Sequence, residues 1–197
     1  MVAIDLFLLR PQAFRHLVFN VLSVPGEHDS LHPQTKRAWL LLTLFDVYLT
    51  WARAEKSSNP KTTYRLILQL PVLAQYLTFL LYCIIDTAVL HIMIRYLARK
   101  WLGWSRPNAL STAILISTPS KLFPILMLIW SYDIPIAATL IGWAVNFTMI
   151  EVLTTILKCS YTQSIVISSV ALLAKTVAGD WMLDYAVRIY ASMYGIS

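Results

Sequence analysis

The sequence predicts an all-α, polytopic helical membrane protein with four to five transmembrane helices and an N-terminal amphipathic interfacial helix. Of its 197 residues, 58% are hydrophobic and only 13% are charged, whereas a soluble domain of this size carries a more highly charged surface. Several apolar runs approach the roughly 20 residues that a membrane-spanning helix requires. We divide the chain into a cytosolic amphipathic segment, residues 1–35, and a transmembrane helical bundle, residues 36–197.

The first predicted helix covers residues 10–20, and Pro11 suits its first position. Helical periodicity gathers the apolar side chains on one face: Ala13, Phe14, Leu17, Val18, Val21 and Leu22. The opposite face is polar and basic and consists of Gln12, Arg15, His16 and Asn20, with Phe19 among them. Two interpretations remain open. The helix lies in the membrane interface, or it docks on neighbouring spans without contacting lipid.

Five apolar stretches follow, at residues 38–52, 71–94, 109–130, 134–157 and 161–181. The first is short and has Asp46 at its centre, which costs on the order of 2.5–3.5 kcal/mol on insertion scales. This stretch either crosses the membrane or forms a shallow or re-entrant segment. Pro119 and Pro124 predict a kink or break in the third span. Ala138 and Gly142 would permit a close helix contact in the fourth span. We expect the tail beyond residue 181 to lie along the interface.

Polar residues within the spans form the candidate lipid-binding or polar intramembrane site: Asp46, Asp86, Lys121, Asn146 and Glu151. Such residues are costly in hydrocarbon, and they usually face the bundle interior in pairs. Judged by depth, Asp46 should pair with Lys121, whereas Lys175 has no acid at its level. A sealed pair that serves assembly is the simpler explanation of two buried charges. A hydrated, laterally open cleft among spans one, three and four would favour transport instead.

Basic residues alternate with tryptophans after the second span. We assign these to a headgroup or interface group, together with the two basic residues of the first helix: Arg15, His16, Arg95, Arg99, Lys100, Trp101 and Trp104. Basic and tryptophan residues at the end of a span can attract anionic headgroups, but they also set topology without binding a particular lipid. Both interpretations remain open. The distribution of Lys and Arg predicts a cytosolic amino terminus, whereas the side of the carboxyl terminus depends on whether the first span crosses.

The motifs that mark common catalytic and metal sites are absent from the sequence. Cys83 and Cys159 are the two cysteines and do not form a CxxC pair, so we expect no cysteine-based zinc site. We find no nucleotide-binding glycine fingerprint, Walker loop or HExxH motif. We therefore expect no catalytic residues, no bound metal, no cofactor and no nucleic-acid partner.

Three segments carry a family resemblance: residues 3–20 (AIDLFLLRPQAFRHLVFN), 41–56 (LLTLFDVYLTWARAEK) and 117–133 (STPSKLFPILMLIWSYD). They resemble, in the same order, segments of the Arv family of sterol- and lipid-homeostasis proteins of the endoplasmic reticulum. By this resemblance, residues 1–35 form the second part of the Arv homology domain. In the family, two CxxC zinc-binding pairs precede that part. A truncated product, a wrongly assigned start and a member without the zinc module remain alternative explanations of the missing cysteines.

The resemblance implies a multi-pass protein of the endoplasmic reticulum membrane. The implied functions are intracellular sterol and lipid transport and support of sphingolipid metabolism and glycosylphosphatidylinositol-anchor synthesis. The implied partners are sterol, sphingolipid or glycolipid intermediates and the enzymes that synthesise glycosylphosphatidylinositol. The alternative is a non-catalytic accessory subunit of a glycosyltransferase complex of that pathway. A third possibility, an integral-membrane enzyme, has no recognisable nucleophile–base motif to support it.

Overall fold

The computed structural model describes residues 11–22, 31–56, 62–118 and 135–194, and all regular structure within them is helical. This confirms the predicted all-α class. The helices are α1 (Pro11–His16), continued by a π-helical turn (Leu17–Val21), α2 (Pro33–Lys56), α3 (Thr62–Leu68), α4 (Val72–Leu102), α5 (Pro107–Ser117), α6 (Pro135–Leu157) and α7 (Tyr161–Tyr194).

Proline and glycine mark several of the helix ends. Pro107 occupies the first turn of α5, where its missing N–H costs nothing. Helix α4 is capped at its carboxyl end by Gly103, whose φ of 63° lies in the left-handed region. The Gly103 backbone amide donates a hydrogen bond to the Arg99 carbonyl (3.2 Å). Helix α5 ends at Ser117, two residues before Pro119. The remainder of the predicted third span, including Lys121 and Pro124, lies outside the described residues.

The centre of the fold is an antiparallel pair formed by α4 and α7. Near one end, Leu90 and Ile94 of α4 share a buried cluster with Ile167 and Ala171 of α7. Towards the other end, Phe79 packs in a second cluster with Leu183. Helices α5 and α6 complete the first cluster, whereas α2 and α3 complete the second.

Two helices are long and apolar enough to cross a membrane: α4, with a hydropathy of 2.1, and residues Tyr161–Ser192 of α7, with a hydropathy of 1.4. Both expose large apolar side chains, including Leu73 (73% exposed) and Trp181 (78%). Soluble monomers rarely expose extended apolar surfaces, so these faces are suited to lipid. The four to five spans and the interfacial helix stay predictions.

Helix α7 continues to Tyr194, so the predicted end of the fifth span near residue 181 is wrong, whereas the position of the tail along the interface stays a prediction. The continuation remains packed because Leu183 is buried against α4 and the Thr78 hydroxyl lies 3.0 Å from that of Tyr190. Asp180 and Asp184 lower the hydropathy of this region, but both side chains are exposed. The charges therefore interrupted the apolar pattern without ending the helix.

Helix α1 packs on the ends of α5 and α6. Phe14 and Val18 are 1% and 2% exposed, and they share a buried cluster with Ala113, Val152 and Ile156. This is the docked arrangement that the sequence left open beside an interfacial one.

The π-helical turn changes the phase of the residues that follow it. Its wider turn ends where the Leu22 backbone amide donates a hydrogen bond to the Leu17 carbonyl (2.9 Å). As a result, Phe19 packs against the cluster although α-helical periodicity placed it on the polar face. Val21, assigned to the apolar face, is instead 45% exposed. The predicted face is therefore correct up to Val18 and wrong at Phe19 and Val21.

Candidate functional site

A cavity of about 280 Å³ lies between α2, α4 and α5. Its lining combines cationic, hydroxyl and apolar side chains: Leu31, Thr35, Lys36, Trp39, Ala88, His91, Ile92, Arg95, Ser111 and Leu115. The spans around it are therefore the predicted first, second and third. The cleft considered from the sequence involved spans one, three and four, but no described residue of α6 lines this cavity.

Two cationic side chains define the polar part of this cavity. Lys36 is exposed in the first turn of α2, whereas Arg95 of α4 is half-buried. The Arg95 guanidinium donates from Nε to Ser111 Oγ (2.7 Å) and from Nη2 to Asn108 Oδ1 (2.7 Å). These bonds hold the guanidinium against α5. Arg95, which the sequence placed with the headgroup residues, thus joins two helices and lines the cavity as well.

Thr35 supplies a buried hydroxyl to the same wall. Its side chain is only 5% exposed, and its Oγ1 has no hydrogen-bond partner within the described ranges. Most buried hydroxyl groups have such a partner. The neighbouring backbone amides are already bonded: Gln34 N–H to His32 Nδ1 (3.2 Å), and the amides of Thr35 and Lys36 to the His32 carbonyl (2.9 and 3.2 Å). The hydrogen-bond donors that remain at this end of α2 are therefore side chains rather than backbone amides.

The other part of the cavity is apolar and opens at the surface of the bundle. Trp39 is 44% exposed and Ile92 is 63% exposed, while Ala88 and Leu115 line the wall. The cavity therefore pairs a cationic, hydroxyl-bearing part with an apolar mouth.

A second, much smaller cavity of about 30 Å³ adjoins the first and shares Trp39, His91 and Leu115 with it. Asp46 and Lys175 also line it. This volume suffices for about one water molecule. Asp46 thus faces the bundle interior, as expected of a charged residue within a span. Its predicted partner Lys121 lies outside the described residues, and the Asp46–Lys121 pair stays a prediction.

Lys175 pairs with Asp86, which corrects the prediction that it has no acid at its level. The Lys175 Nζ lies 2.8 Å from Asp86 Oδ2, and the two side chains are 20% and 16% exposed. The error came from the span boundaries. Because α4 continues to Leu102 and α7 to Tyr194, both residues lie near the middle of their helices and meet across the antiparallel pair.

The remaining predicted polar residues do not join this cavity. Glu151 Oε2 accepts a hydrogen bond from the Tyr161 hydroxyl (2.9 Å) at the connection of α6 to α7. Asn146 is half-buried on α6. Of the five candidates, Asp46 borders the adjoining small cavity, Asp86 is paired with Lys175, and Lys121 is outside the described residues. Asp46 and Asp86 thus both lie beside Lys175, whereas Asn146 and Glu151 do not line the cavity that Asp46 and Lys175 share.

The predicted interface residues fall into two groups. Arg15, His16, Arg99, Lys100 and Trp101 are exposed. Among them, His16 Nδ1 lies 3.0 Å from Asn20 Nδ2, and Lys100 Nζ lies 5.6 Å from the centroid of the Tyr96 ring. Trp104 differs, because it is half-buried, packs against two core clusters and donates from Nε1 to the Arg106 carbonyl (2.8 Å). Trp104 therefore contributes to the core.

Sequence reasoning missed Thr35 and Lys36, which fall at the boundary between the connector and the first predicted span. The available signal was helical spacing. Thr35 and Lys36 precede Trp39 by four and three residues, so both lie on the same side of α2 as Trp39. Hydropathy alone could not show that this face meets His91 and Arg95, because that meeting depends on how α2 and α4 pack.

Comparison with known proteins shows extensive similarity to one family. Residues 1–153 match the sequence model of the Arv1-like family. The chain is 35% identical to Protein arv1 of Schizosaccharomyces pombe, over 78% of this chain and 57% of that protein. It is 35% identical to Protein ARV1 of Eremothecium gossypii, over 88% of this chain and 71% of that protein.

Protein ARV1 of Saccharomyces cerevisiae is 32% identical, over 86% of this chain and 73% of that protein. The chain thus spans just over half the length of the fission yeast relative and less than three quarters of the other two. No solved structure matches it significantly. The match over most of the chain, at identities above 30%, shows that this protein belongs to the Arv1-like family.

Proposed function

We propose that this protein handles lipids in the endoplasmic reticulum membrane and binds them at the cavity between α2, α4 and α5. The observation that carries the proposal is the division of that cavity. Lys36 and Arg95 line it together with buried hydroxyl groups, whereas Trp39 and Ile92 form an apolar, exposed mouth. A membrane lipid has the same division between a polar head and apolar chains.

The size of the cavity favours partial enclosure of a lipid. Its volume of about 280 Å³ is at the lower limit of the roughly 300–1,000 Å³ typical of small-molecule sites. The polar end of a lipid can therefore enter, while the chains would remain outside along the exposed apolar faces. Such an arrangement suits a protein that captures or passes on lipids, including sterol, sphingolipid or glycolipid intermediates, from the bilayer.

The surface of α2 supports membrane insertion of a further helix besides α4 and α7. One side of α2 exposes large apolar side chains along its length: Trp39, Leu40, Leu41, Leu44, Phe45 and Tyr48. Its 24 residues extend about 36 Å at 1.5 Å per residue, which is enough to cross the hydrocarbon core. We propose a multi-pass arrangement of four to five spans, with the amino terminus in the cytosol.

We also propose that the chain is not itself an enzyme. Two of its interior acids take part in contacts that stabilise helix packing: Asp86 pairs with Lys175, and Glu151 accepts a hydrogen bond from Tyr161. Lipid handling of this kind would support sterol distribution, sphingolipid metabolism and glycosylphosphatidylinositol-anchor synthesis by supplying or moving lipids.

Photocrosslinking in vesicles tests the proposed lipid site. The full chain is reconstituted in phosphatidylcholine vesicles that contain a photoreactive sterol, sphingolipid or phospholipid, and the labelled peptides are mapped. We expect labelling near Trp39 and Ile92. Ala88→Phe should remove most of that labelling, because the ring fills the cavity without changing its charge. Ala144→Phe is the matched control, since Ala144 is exposed on α6 and lies outside the cavity lining.

Equal labelling of the two variants and the unaltered protein would contradict the proposal. Absence of labelling, combined with stoichiometric co-purification of a glycosyltransferase complex, would favour the accessory-subunit alternative instead. A vesicle assay that follows movement of the same probes between leaflets then separates binding from transport.

A further inference from the structure

We propose that the cavity between α2, α4 and α5 recognises the phosphate group of a phospholipid headgroup, held by Lys36, Arg95 and Thr35. This inference rests on the proposed lipid-handling function and specifies the chemical class of the lipid. It separates phosphate-bearing lipids from sterols, whose polar end is a single neutral hydroxyl.

The charge of the lining supports an anionic ligand. Lys36 and Arg95 both line the cavity, and no described residue of its lining is acidic. A phosphate supplies negative charge and several acceptor oxygens at once, and both Lys and Arg are common phosphate binders. The bonds from Arg95 to Ser111 and Asn108 fix the guanidinium before a ligand arrives, which reduces the entropy lost on binding.

Thr35 is the independent observation that points to a ligand. Its side chain is 95% buried and lines the cavity, yet its hydroxyl has no hydrogen-bond partner within the described residues. A buried hydroxyl in this state is unfavourable unless something else accepts its proton. A phosphate oxygen beside Lys36 would accept it. Because the adjacent amides are bonded to His32, the side chains rather than the helix terminus would bind the anion.

The mouth of the cavity favours a lipid over a soluble phosphate compound. Trp39 and Ile92 are both substantially exposed there, and the exposed apolar side of α2 continues along Leu40 and Leu44. A phosphate bound beside Lys36 would therefore carry its acyl chains across apolar side chains. A soluble phosphate ester would gain nothing from that surface.

The experiment compares a photoreactive phosphatidic acid with a photoreactive sterol in vesicles of the phosphate-free lipid digalactosyldiacylglycerol that hold the full chain, so that the bulk lipid does not compete for the phosphate site. We expect the phosphatidic acid to label the cavity more strongly than the sterol. Lys36→Gln should weaken its apparent affinity about fivefold, as loss of one cation near a phosphate predicts. Arg37→Gln is the matched control, because Arg37 is also exposed, at the next position of α2, but does not line the cavity.

Thr35→Val tests the hydroxyl separately from the charge. Valine keeps the shape of threonine and removes a hydroxyl that has no hydrogen-bond partner among the described residues, so the melting temperature of the protein without the probe should not fall. Labelling by phosphatidic acid should decrease nevertheless. A fall in melting temperature with unchanged labelling would overturn the role of Thr35.

Other outcomes distinguish this inference from the function on which it rests. Equal effects of Lys36→Gln and Arg37→Gln would indicate general surface attraction and overturn the site. Full competition by inorganic phosphate would indicate an anion site rather than a lipid site. Strong sterol labelling that Lys36→Gln leaves unchanged would overturn the phosphate inference but not the proposed lipid binding. Absence of labelling by either probe would overturn both.

Discussion

Asp86 and Lys175 form an ion pair, with 2.8 Å between Oδ2 and Nζ, at the centre of the antiparallel helices α4 and α7. Each side chain is at least 80% buried. Removal of one partner leaves the other charge within the bundle, which costs much more than exchange of both for apolar groups. The pair therefore fixes the axial position of the two longest helices.

We expect Lys175→Met to destabilise the protein by about 3 kcal/mol, because it leaves the Asp86 carboxylate without its cation. The double variant Asp86→Leu with Lys175→Met should recover most of that loss. Thermal unfolding of the single and double variants in detergent measures the coupling. Additive effects of the two substitutions would show that the pair contributes no coupling energy.

Phe14→Ala should release α1 from the bundle. Phe14 is 1% exposed between α5 and α6, and truncation of a buried phenylalanine costs about 3–5 kcal/mol. Limited proteolysis with trypsin should then cut after Arg15 faster, by about a hundredfold or more. Val21→Ala is the control, since Val21 is 45% exposed. Equal cleavage of the two variants would contradict docking through Phe14.

Gly179→Ala should weaken the packing of α7 on α4. A Cβ at position 179 would lie 2.9 Å from Tyr82 Cε2, and overpacking of this kind typically costs about 1–3 kcal/mol. Tyr82→Leu should restore stability in the Gly179→Ala background, which thermal unfolding of the two variants can measure. A neutral effect of Gly179→Ala would show that the Tyr82 ring moves aside without cost.

Gly142→Ala provides the contrast. The sequence predicted a close helix contact there, but a Cβ at position 142 would meet no atom of the described residues within 4 Å. Alanine should therefore stabilise α6 by about 0.5–1 kcal/mol through its higher helix propensity. A loss of stability would instead support the predicted contact at Gly142.

Gln75→Leu should loosen the junction of α2, α3 and α4. Gln75 donates from Nε2 to the carbonyls of Leu68 and Leu70 (2.9 and 2.7 Å), and its Oε1 accepts from Trp51 Nε1 (3.2 Å). Leucine would leave the Leu68 and Leu70 carbonyls and Trp51 Nε1 without the Gln75 side chain as hydrogen-bond partner. We expect this to lower the free energy of unfolding by about 1–3 kcal/mol or more. Gln69→Leu, at an exposed position, should have little effect. Melting temperatures of both variants in detergent would test the difference.

Composition and periodicity determined the general architecture of this protein. The apolar runs predicted helices where α2, α4, α6 and α7 occur, because a chain this apolar must satisfy its backbone hydrogen bonds within helices. Pro11 and the spacing of Phe14 and Val18 identified the buried face of α1. Three short segments were enough to indicate the family. Each of these features depends on local sequence.

Only the tertiary structure decided which residues meet. The Asp86–Lys175 pair depends on the axial shift between α4 and α7, and hydropathy does not encode that shift. The cavity depends on the packing of α2, α4 and α5, which brings Thr35 and Lys36 of α2 into one lining with Arg95, from a distant part of the chain. The sequence by itself therefore determined the long apolar helices, most of the apolar face of α1 and the family, whereas packing determined the ion pair and the candidate lipid site, because both arise from contacts between helices distant in sequence.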